Sequence, residues 1–306
     1  MAKRATLDDL NPGLGKRTRL HRMLYEHGPG SGRLLILPID HGVEHGPMDF
    51  FPNPPSGDPD YQCRLAKEGG YSGIALHIGL AKKYMPAYAG DVPLVLKING
   101  RPHIPPGDQP LSAQDAFVED AVRLGADAVG YTLYVGSPMQ NEDFIQLMQV
   151  RAECERYGMP LVIWSYPRGE AIDAKGGADS IYAVDYAARL AEELGADVVK
   201  LNVPAFRDPR NEQSPDPYPD LYRSWQELDD HEAYRRAVEK VVDSAGKTMV
   251  LFSGGSKESD EDLLTKARIC VEAGATGLIF GRNMWQRPYE EGLAITERVK
   301  EVLLAE

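Results

Sequence analysis

Four times in this chain a helical stretch stops at a glycine and a β-rich apolar run begins within a few residues. The breaks are Gly69-Gly70-Tyr71-Ser72, Gly125-Ala126-Asp127, Gly195-Ala196-Asp197 and Gly274-Ala275-Thr276. A glycine closes a helix where the backbone must turn left-handed, and a strand that follows at once permits only a short connection. The apolar runs predict eight strands, at 34–41, 73–79, 93–99, 128–136, 161–166, 197–202, 248–255 and 277–283, with helical periodicity over 112–124, 141–157, 180–194, 225–244 and 260–273. Eight alternating units imply an α/β fold, a single (β/α)8 TIM barrel over residues 1–306, with 1–32 as an N-terminal extension. The alternative is a doubly wound open sheet, but no Gly-x-Gly-x-x-Gly turn follows the first strand.

The connections are unequal in length. Those from helix to strand take a few residues, whereas those after strands run long, at 42–60, 100–110, 167–179 and 203–223. Long connections carry function more often than short ones, and these gather at the strand C-terminal ends, where barrel enzymes place their sites. The 203–223 segment, rich in Pro, Asp and Arg, reads as a lid, a subunit contact or a solvated loop.

The formal charge of -12 argues against a nucleic-acid or anionic-membrane partner. An anionic metabolite remains compatible, because a few backbone N–H groups and one arginine make a local phosphate site. Cys63, Cys154 and Cys270 have neither metal nor disulfide spacing and suit a reducing compartment. No apolar stretch follows the basic residues near the N-terminus and no run is long enough to span a bilayer, so a cytoplasmic location is expected.

Lys200 ends the apolar run Val198-Val199-Lys200-Leu201. An amine held at a strand tip is desolvated, which lowers its pKa and makes it a nucleophile for carbonyls. A strand lysine also snorkels to solvent or pairs with a carboxylate. Lys97, in Leu94-Val95-Leu96-Lys97, is a rival nucleophile or a modulator of Lys200. On the preceding strand, alternation puts Trp164 and Tyr166 on one face, with Arg168 at the rim; the phenol suits proton transfer and the guanidinium a phosphate. Their plain alternatives are a packed tyrosine and a surface ion pair.

Asp40 ends the first strand in Asp40-His41-Gly42-Val43-Glu44-His45, placed to pair with an ammonium or to accept substrate hydroxyls. His41 and His45, with Glu44, His77 and His103, raise a metal site. Their i, i+4 spacing makes a shared face only on a helix, which the two glycines of this stretch disfavour. Ser253-Gly254-Gly255 on the seventh strand and Gly281-Arg282 on the eighth form a phosphate-binding pattern, since barrels bind phosphate at this pair of loops.

In order along the chain, Asp40-His41-Gly42-Val43-Glu44-His45, Trp164-x-Tyr166-x-Arg168, Val198-Val199-Lys200, Ser253-Gly254-Gly255 and Ile279-Phe280-Gly281-Arg282 resemble the archaeal-type class I fructose-bisphosphate aldolases. The resemblance implies a Schiff base at Lys200, Tyr166 as proton donor and acceptor, and Asp40 as a polar partner near the reacting carbons. It implies that Trp164 and His45 shape the pocket. Ser253, Gly254, Gly255, Gly281 and Arg282 would hold the dihydroxyacetone-side phosphate, and Arg168 the other. It further implies a phosphorylated sugar substrate, no metal or other cofactor, and a homo-oligomer, often a decamer. The stretch 169–179 departs from the family pattern. Three alternatives stand beside this reading: a transaldolase-like synthase using the same imine, a metal-dependent aldolase built on the histidines, and a non-catalytic phosphosugar-binding barrel.

Overall fold

The structure, a computed structural model, describes residues 2–105 and 107–305. Eight parallel strands close into a barrel: β1 (Leu34–Pro38), β2 (Gly73–His77), β3 (Leu94–Lys97), β4 (Ala128–Val135), β5 (Leu161–Pro167), β6 (Val198–Leu201), β7 (Met249–Ser253) and β8 (Gly277–Ile279). Each pairs with its sequence neighbour, and β8 closes on β1 with Leu34 opposite Gly277. A helix follows every strand: α1 (Pro59–Glu68), α2 (Ile78–Tyr84), α3 (Val118–Arg123), α4 (Gln140–Tyr157), α5 (Ile181–Glu193), α6 (Asp230–Ser244), α7 (Asp260–Glu272) and α8 (Tyr289–Leu304).

The strands separate two apolar layers because successive side chains point to opposite faces. Ile36, Val95, Val162, Val198, Leu251 and Ile279 fill the barrel interior. Leu35, Leu96, Ile163, Val199, Val250 and Phe252 join the helices in the outer core. The glycines at the four breaks, Gly70, Gly125, Gly195 and Gly274, have φ between 61° and 94°, the left-handed backbone inferred from their position. The side chains of Ser180, Asp229 and Ser259 cap α5, α6 and α7 by accepting backbone N–H groups.

Residues 1–32 are more than an appendage. Leu14–His21 and the π-helical turn Arg22–Glu26 drive Leu20, Met23 and Leu24 into the interior cluster, closing the N-terminal end of the barrel. Each such burial stabilises the fold by about 2 kcal/mol. The plug is pinned at its rim by Lys16, which pairs with Asp197 at 2.9 Å and with Glu155, and by Arg22, 2.7 Å from Asp127.

Several predicted boundaries differ. The helix expected over 112–124 starts only at Val118, because Ala113–Gln114 pairs with Asn99–Gly100 in an antiparallel ribbon. The 203–223 segment contains the 3-10 turn Pro209–Gln213 and runs into a helix, Tyr218–Gln226, that ends before α6, so the helix expected over 225–244 is two. Tyr222 and Trp225 pack there with Ile181, Ala233 and Ala237, a third apolar cluster that makes this segment part of the wall. The eighth strand stops at Ile279, since Gly281 caps the turn Arg282–Trp285.

Candidate active site

At the C-terminal mouth of the barrel a pocket of about 180 Å³ is lined by Asp40, His45, Tyr166, Arg168, Lys200, Ser253, Gly254, Gly255, Gly281 and Arg282. These are all but one of the residues to which the resemblance assigns a role. The exception, Trp164, is wholly buried and lies beneath the pocket. His41, Glu44 and Asn202 also line the pocket.

The strand register sets the depth of each group. Trp164 on β5 stands opposite Thr132 on one side and Lys200 on the other, and Tyr166 lies two residues nearer the mouth. Ser165 between them points outward, its hydroxyl donating to Ala187 O of α5 at 2.9 Å. Lys200 Nζ comes to 5.2 Å from the Tyr166 ring centre and 5.3 Å from that of Trp164.

Lys97 sits 5.2 Å from the same indole. It is opposite Gly130, which is itself opposite Val162, so its Cα lies a layer below that of Lys200. A Cβ on Gly130 would stand 2.8 Å from the indole and 3.0 Å from the Lys97 stem, so this glycine makes the stacking of the two side chains feasible. The Lys97 ammonium donates to Asn99 O at 3.0 Å and to Thr132 Oγ1 at 2.6 Å, with Glu44 Oε1 at 3.8 Å. Lys97 does not line the pocket; Lys200 does. Burial lowers the pKa of both lysines, and Asp40 and Glu44 act in the opposite sense on Lys200.

Asp40 is buried with Oδ2 unpartnered. Burial disfavours its charge, but Lys200 foremost, then His41, Lys97 and His77, hold the carboxyl well below the usual carboxylate range. Burial raises the Tyr166 phenol well above its ordinary value, assisted by Glu44 and Asp40, so it rests protonated. The Arg168 guanidinium lies over the Tyr166 ring at 5.3 Å.

The stretch from His41 to Glu44 is a helical turn, contrary to the expectation drawn from its glycines. Asp40 occupies the N-cap position, and its backbone oxygen accepts from Val43 and Glu44 N–H. His41 and His45 do share a side, 5.5 Å between ring centres, yet they face different carboxylates. His41 Nδ1 is 3.5 Å from Asp40, and His45 Nδ1 is 2.6 Å from Asp49. Burial pushes the His41 imidazole down to about 4. His103 stacks obliquely on His45 at 4.7 Å, while His77 faces Asp115 at 2.8 Å. Among the described residues no three His, Cys, Asp or Glu side chains form a group able to hold a metal ion.

The phosphate pattern is braced from behind. Asn283 Nδ2 donates to Gly254 O and Ser256 O, and its Oδ1 accepts from Glu258 N–H. A Cβ on Gly281 would stand 2.9 Å from the His41 ring, so only glycine lets the turn after β8 pass this close to the turn after β1. Arg282 Nε is buried and unpartnered at the pocket wall. Asn202 receives the Ser253 hydroxyl at 2.9 Å and donates to Asp179 at 2.8 Å. Sequence reasoning passed over Asn202, although its position two residues past Lys200 signals the same face.

Residues 34–287 match the DeoC/LacD family aldolase profile. The chain is 41% identical to the class 1 fructose-bisphosphate aldolase of Thermoproteus tenax over 84% of each chain. It is 38% identical to that of Halobacterium salinarum over 87% of this chain and 89% of the relative. The chain belongs to the archaeal-type class I fructose-bisphosphate aldolases. Among solved structures, this aldolase resembles an archaeal fructose-1,6-bisphosphate aldolase whose catalytic lysine is covalently bound to the carbinolamine intermediate. That match has a TM-score of 0.77 and 35% identity over 93% of this chain and 99% of the other. No helix of the described aldolase is long and apolar enough to cross a membrane.

Proposed function

We propose that Lys200 is the imine-forming residue of a class I aldolase that reversibly cleaves fructose 1,6-bisphosphate to dihydroxyacetone phosphate and glyceraldehyde 3-phosphate. The observation that carries the assignment is the shared pocket of a desolvated amine and a protonated phenol beneath two glycine-bearing loops. The neutral amine of Lys200 attacks C2 and gives a carbinolamine. Tyr166 hands its proton to the departing C2 hydroxyl, which leaves as water, and the phenolate so formed takes the C4 hydroxyl proton as the C3–C4 bond breaks. The electron pair of that bond flows into the protonated imine and forms an enamine. Tyr166 then returns the proton to C3, water hydrolyses the iminium to release dihydroxyacetone phosphate, and the proton left on the Lys200 amine passes back to the Tyr166 phenolate.

Asp40 supplies a fixed negative charge beside the iminium. Ser253, Gly254, Gly255, Gly281 and Arg282 hold the phosphate on the dihydroxyacetone side, Arg168 the other, and His45 shapes the wall. Trp164 acts from below, separating Lys97 from Lys200 and fixing the height of both. Lys97 is a structural cation that positions Glu44. We place the enzyme in the cytoplasm as a homo-oligomer with a phosphorylated sugar as its ligand and without nucleic-acid or membrane partners. The acidic balance and the exposed apolar residues Phe117, Ile145 and Met148 on α3–α4 and its approach support this reading.

Borohydride trapping with dihydroxyacetone phosphate, followed by peptide mass spectrometry, tests the assignment. The adduct is expected on Lys200. An adduct on Lys97, or none while the ligand still binds, refutes it.

A further inference from the structure

A second cavity, of about 750 Å³, opens on the barrel flank between α7 and α8. It lies toward the N-terminal ends of the strands, since Gly274, just before β8, and Arg33, just before β1, both line it. Five arginines face it: Arg4, Arg33, Arg235, Arg268 and Arg298. Two carboxylates oppose them, Glu272 and Glu301, and Glu272 is paired with His231 at 3.0 Å. Among the lining residues arginines outnumber carboxylates five to two, but Arg235 and Arg298 are neutralised from behind by Glu232, Glu239 and Asp260.

The arginines differ in how they are held. Arg235 is braced by Glu232 and Glu239, and Arg33 donates to Ala275 O at 2.8 Å. Arg4 and Arg268 form no ion pair among the described residues, which leaves two forked donors beside two fixed ones. Leu264, Val271 and Val302 add an apolar wall. Forked guanidinium groups suit phosphate oxygens, and an apolar wall suits a flat ring.

A chain of contacts runs from this cavity to the pocket at the barrel mouth. Arg298 Nη1 is 3.0 Å from Asp260 Oδ2, and Arg287 Nη1 is 2.5 Å from Asp260 Oδ1. Arg287 Nε donates to Asn283 O, and Asn283 Nδ2 donates to Gly254 O in the phosphate loop. Arg287 and Asn283 are both buried. An anion that draws Arg298 off Asp260 leaves that carboxylate to Arg287 alone and shifts the support of the loop.

We propose that this flank cavity binds a nucleoside polyphosphate, and that occupancy weakens substrate-phosphate binding at the barrel mouth through the Arg298–Asp260–Arg287–Asn283 chain. The kinetic half rests on the aldolase reading; the binding half does not.

Calorimetric titration with ATP and with tripolyphosphate tests the site on the full chain, using the wild type, R4S/R268S and R282A. ATP is expected to bind several-fold more tightly than tripolyphosphate. Both should weaken by about tenfold or more in R4S/R268S, as loss of charge-assisted contacts requires, and remain unchanged in R282A. In the aldolase assay ATP should raise KM for fructose 1,6-bisphosphate to a plateau at nearly constant kcat, and R4S/R268S should remove that rise while keeping basal activity. Equal affinity for the two probes overturns the nucleoside class. Loss of binding in R282A with retention in R4S/R268S places the anion at the barrel mouth and overturns the site. An altered sedimentation coefficient for R4S/R268S without any anion binding to the wild type makes the cavity a contact between copies and also overturns it. A linear, non-saturating rise in KM overturns the coupling.

Discussion

Replacing Tyr166 by Phe removes one oxygen and keeps the ring over which Arg168 lies at 5.3 Å and to which Lys200 approaches at 5.2 Å. The hydroxyl enters no hydrogen bond with the described residues, so the fold should lose less than about 0.5 kcal/mol. The chemistry should lose far more. General acid–base transfer contributes about 10²–10⁴ in rate, or roughly 2.7–5.5 kcal/mol at about 1.36 kcal/mol per tenfold. Carbinolamine dehydration and C3–C4 cleavage use the same phenol in succession, so the fall in kcat should reach about 100-fold at least. KM should stay within about threefold, because the phosphate contacts lie elsewhere. The assay is coupled detection of triose phosphate release, with a trapping time course on the same samples. In the wild type the phenol is raised above its ordinary value of 10.0, so its acid form persists as pH climbs through that value. A Tyr166→Phe enzyme within about fivefold of the wild-type kcat would remove the phenol from both steps.

Asp40→Asn removes an anion that favours the charged form of Lys200, so the midpoint for trapped adduct against pH should move further below 10.5, while kcat falls by about 10–100-fold as the iminium loses its counter-charge. An unmoved midpoint would detach Asp40 from the amine. Lys16→Met leaves Asp197 buried without its ammonium and should cost about 3 kcal/mol in urea unfolding at neutral pH. Burial already raises the Asp197 carboxyl beside Lys16, and losing the lysine raises it further, so the native state takes up the proton first and the deficit should shrink as pH falls. A deficit equal at neutral and acid pH would refute the charge argument. Gly130→Ala places a methyl 2.8 Å from the Trp164 ring, between buried neighbours, and should cost about 1–3 kcal/mol while slowing adduct formation at Lys200. An unchanged melting temperature and trapping rate would mean that the indole yields freely.

Much of the architecture was written locally. Each strand is a short apolar run buried almost throughout, and glycine closes the helix before four of them, so the number of units, their order and the positions of Lys200 and Tyr166 on neighbouring strands follow from patterns a few residues long. The glycines of the two phosphate-pattern loops were legible for the same reason. The turn at His41–Glu44 was misread because propensity counts two glycines against a helix, whereas the capping position of Asp40 and contacts with His103 and Trp285 hold it. The stretch 218–223 was read as the end of a loop because its prolines and charges mask one apolar face that only α5 and α6 complete.

By itself, then, the sequence determined a barrel with an amine, a phenol and two glycine-bearing loops gathered at one end. The local pattern alone did not separate Lys97 from Lys200, because each is one lysine at the end of one apolar run, and it was the ordered set of motifs that favoured Lys200. Tertiary structure separated them. The stagger of neighbouring strands sets Lys97 level with Gly130 and Lys200 level with Trp164, so one ammonium is tied to Asn99 and Thr132 in the interior and the other faces the pocket. Depth in a closed barrel depends on the register of all its strands, and no single stretch of sequence carries that register.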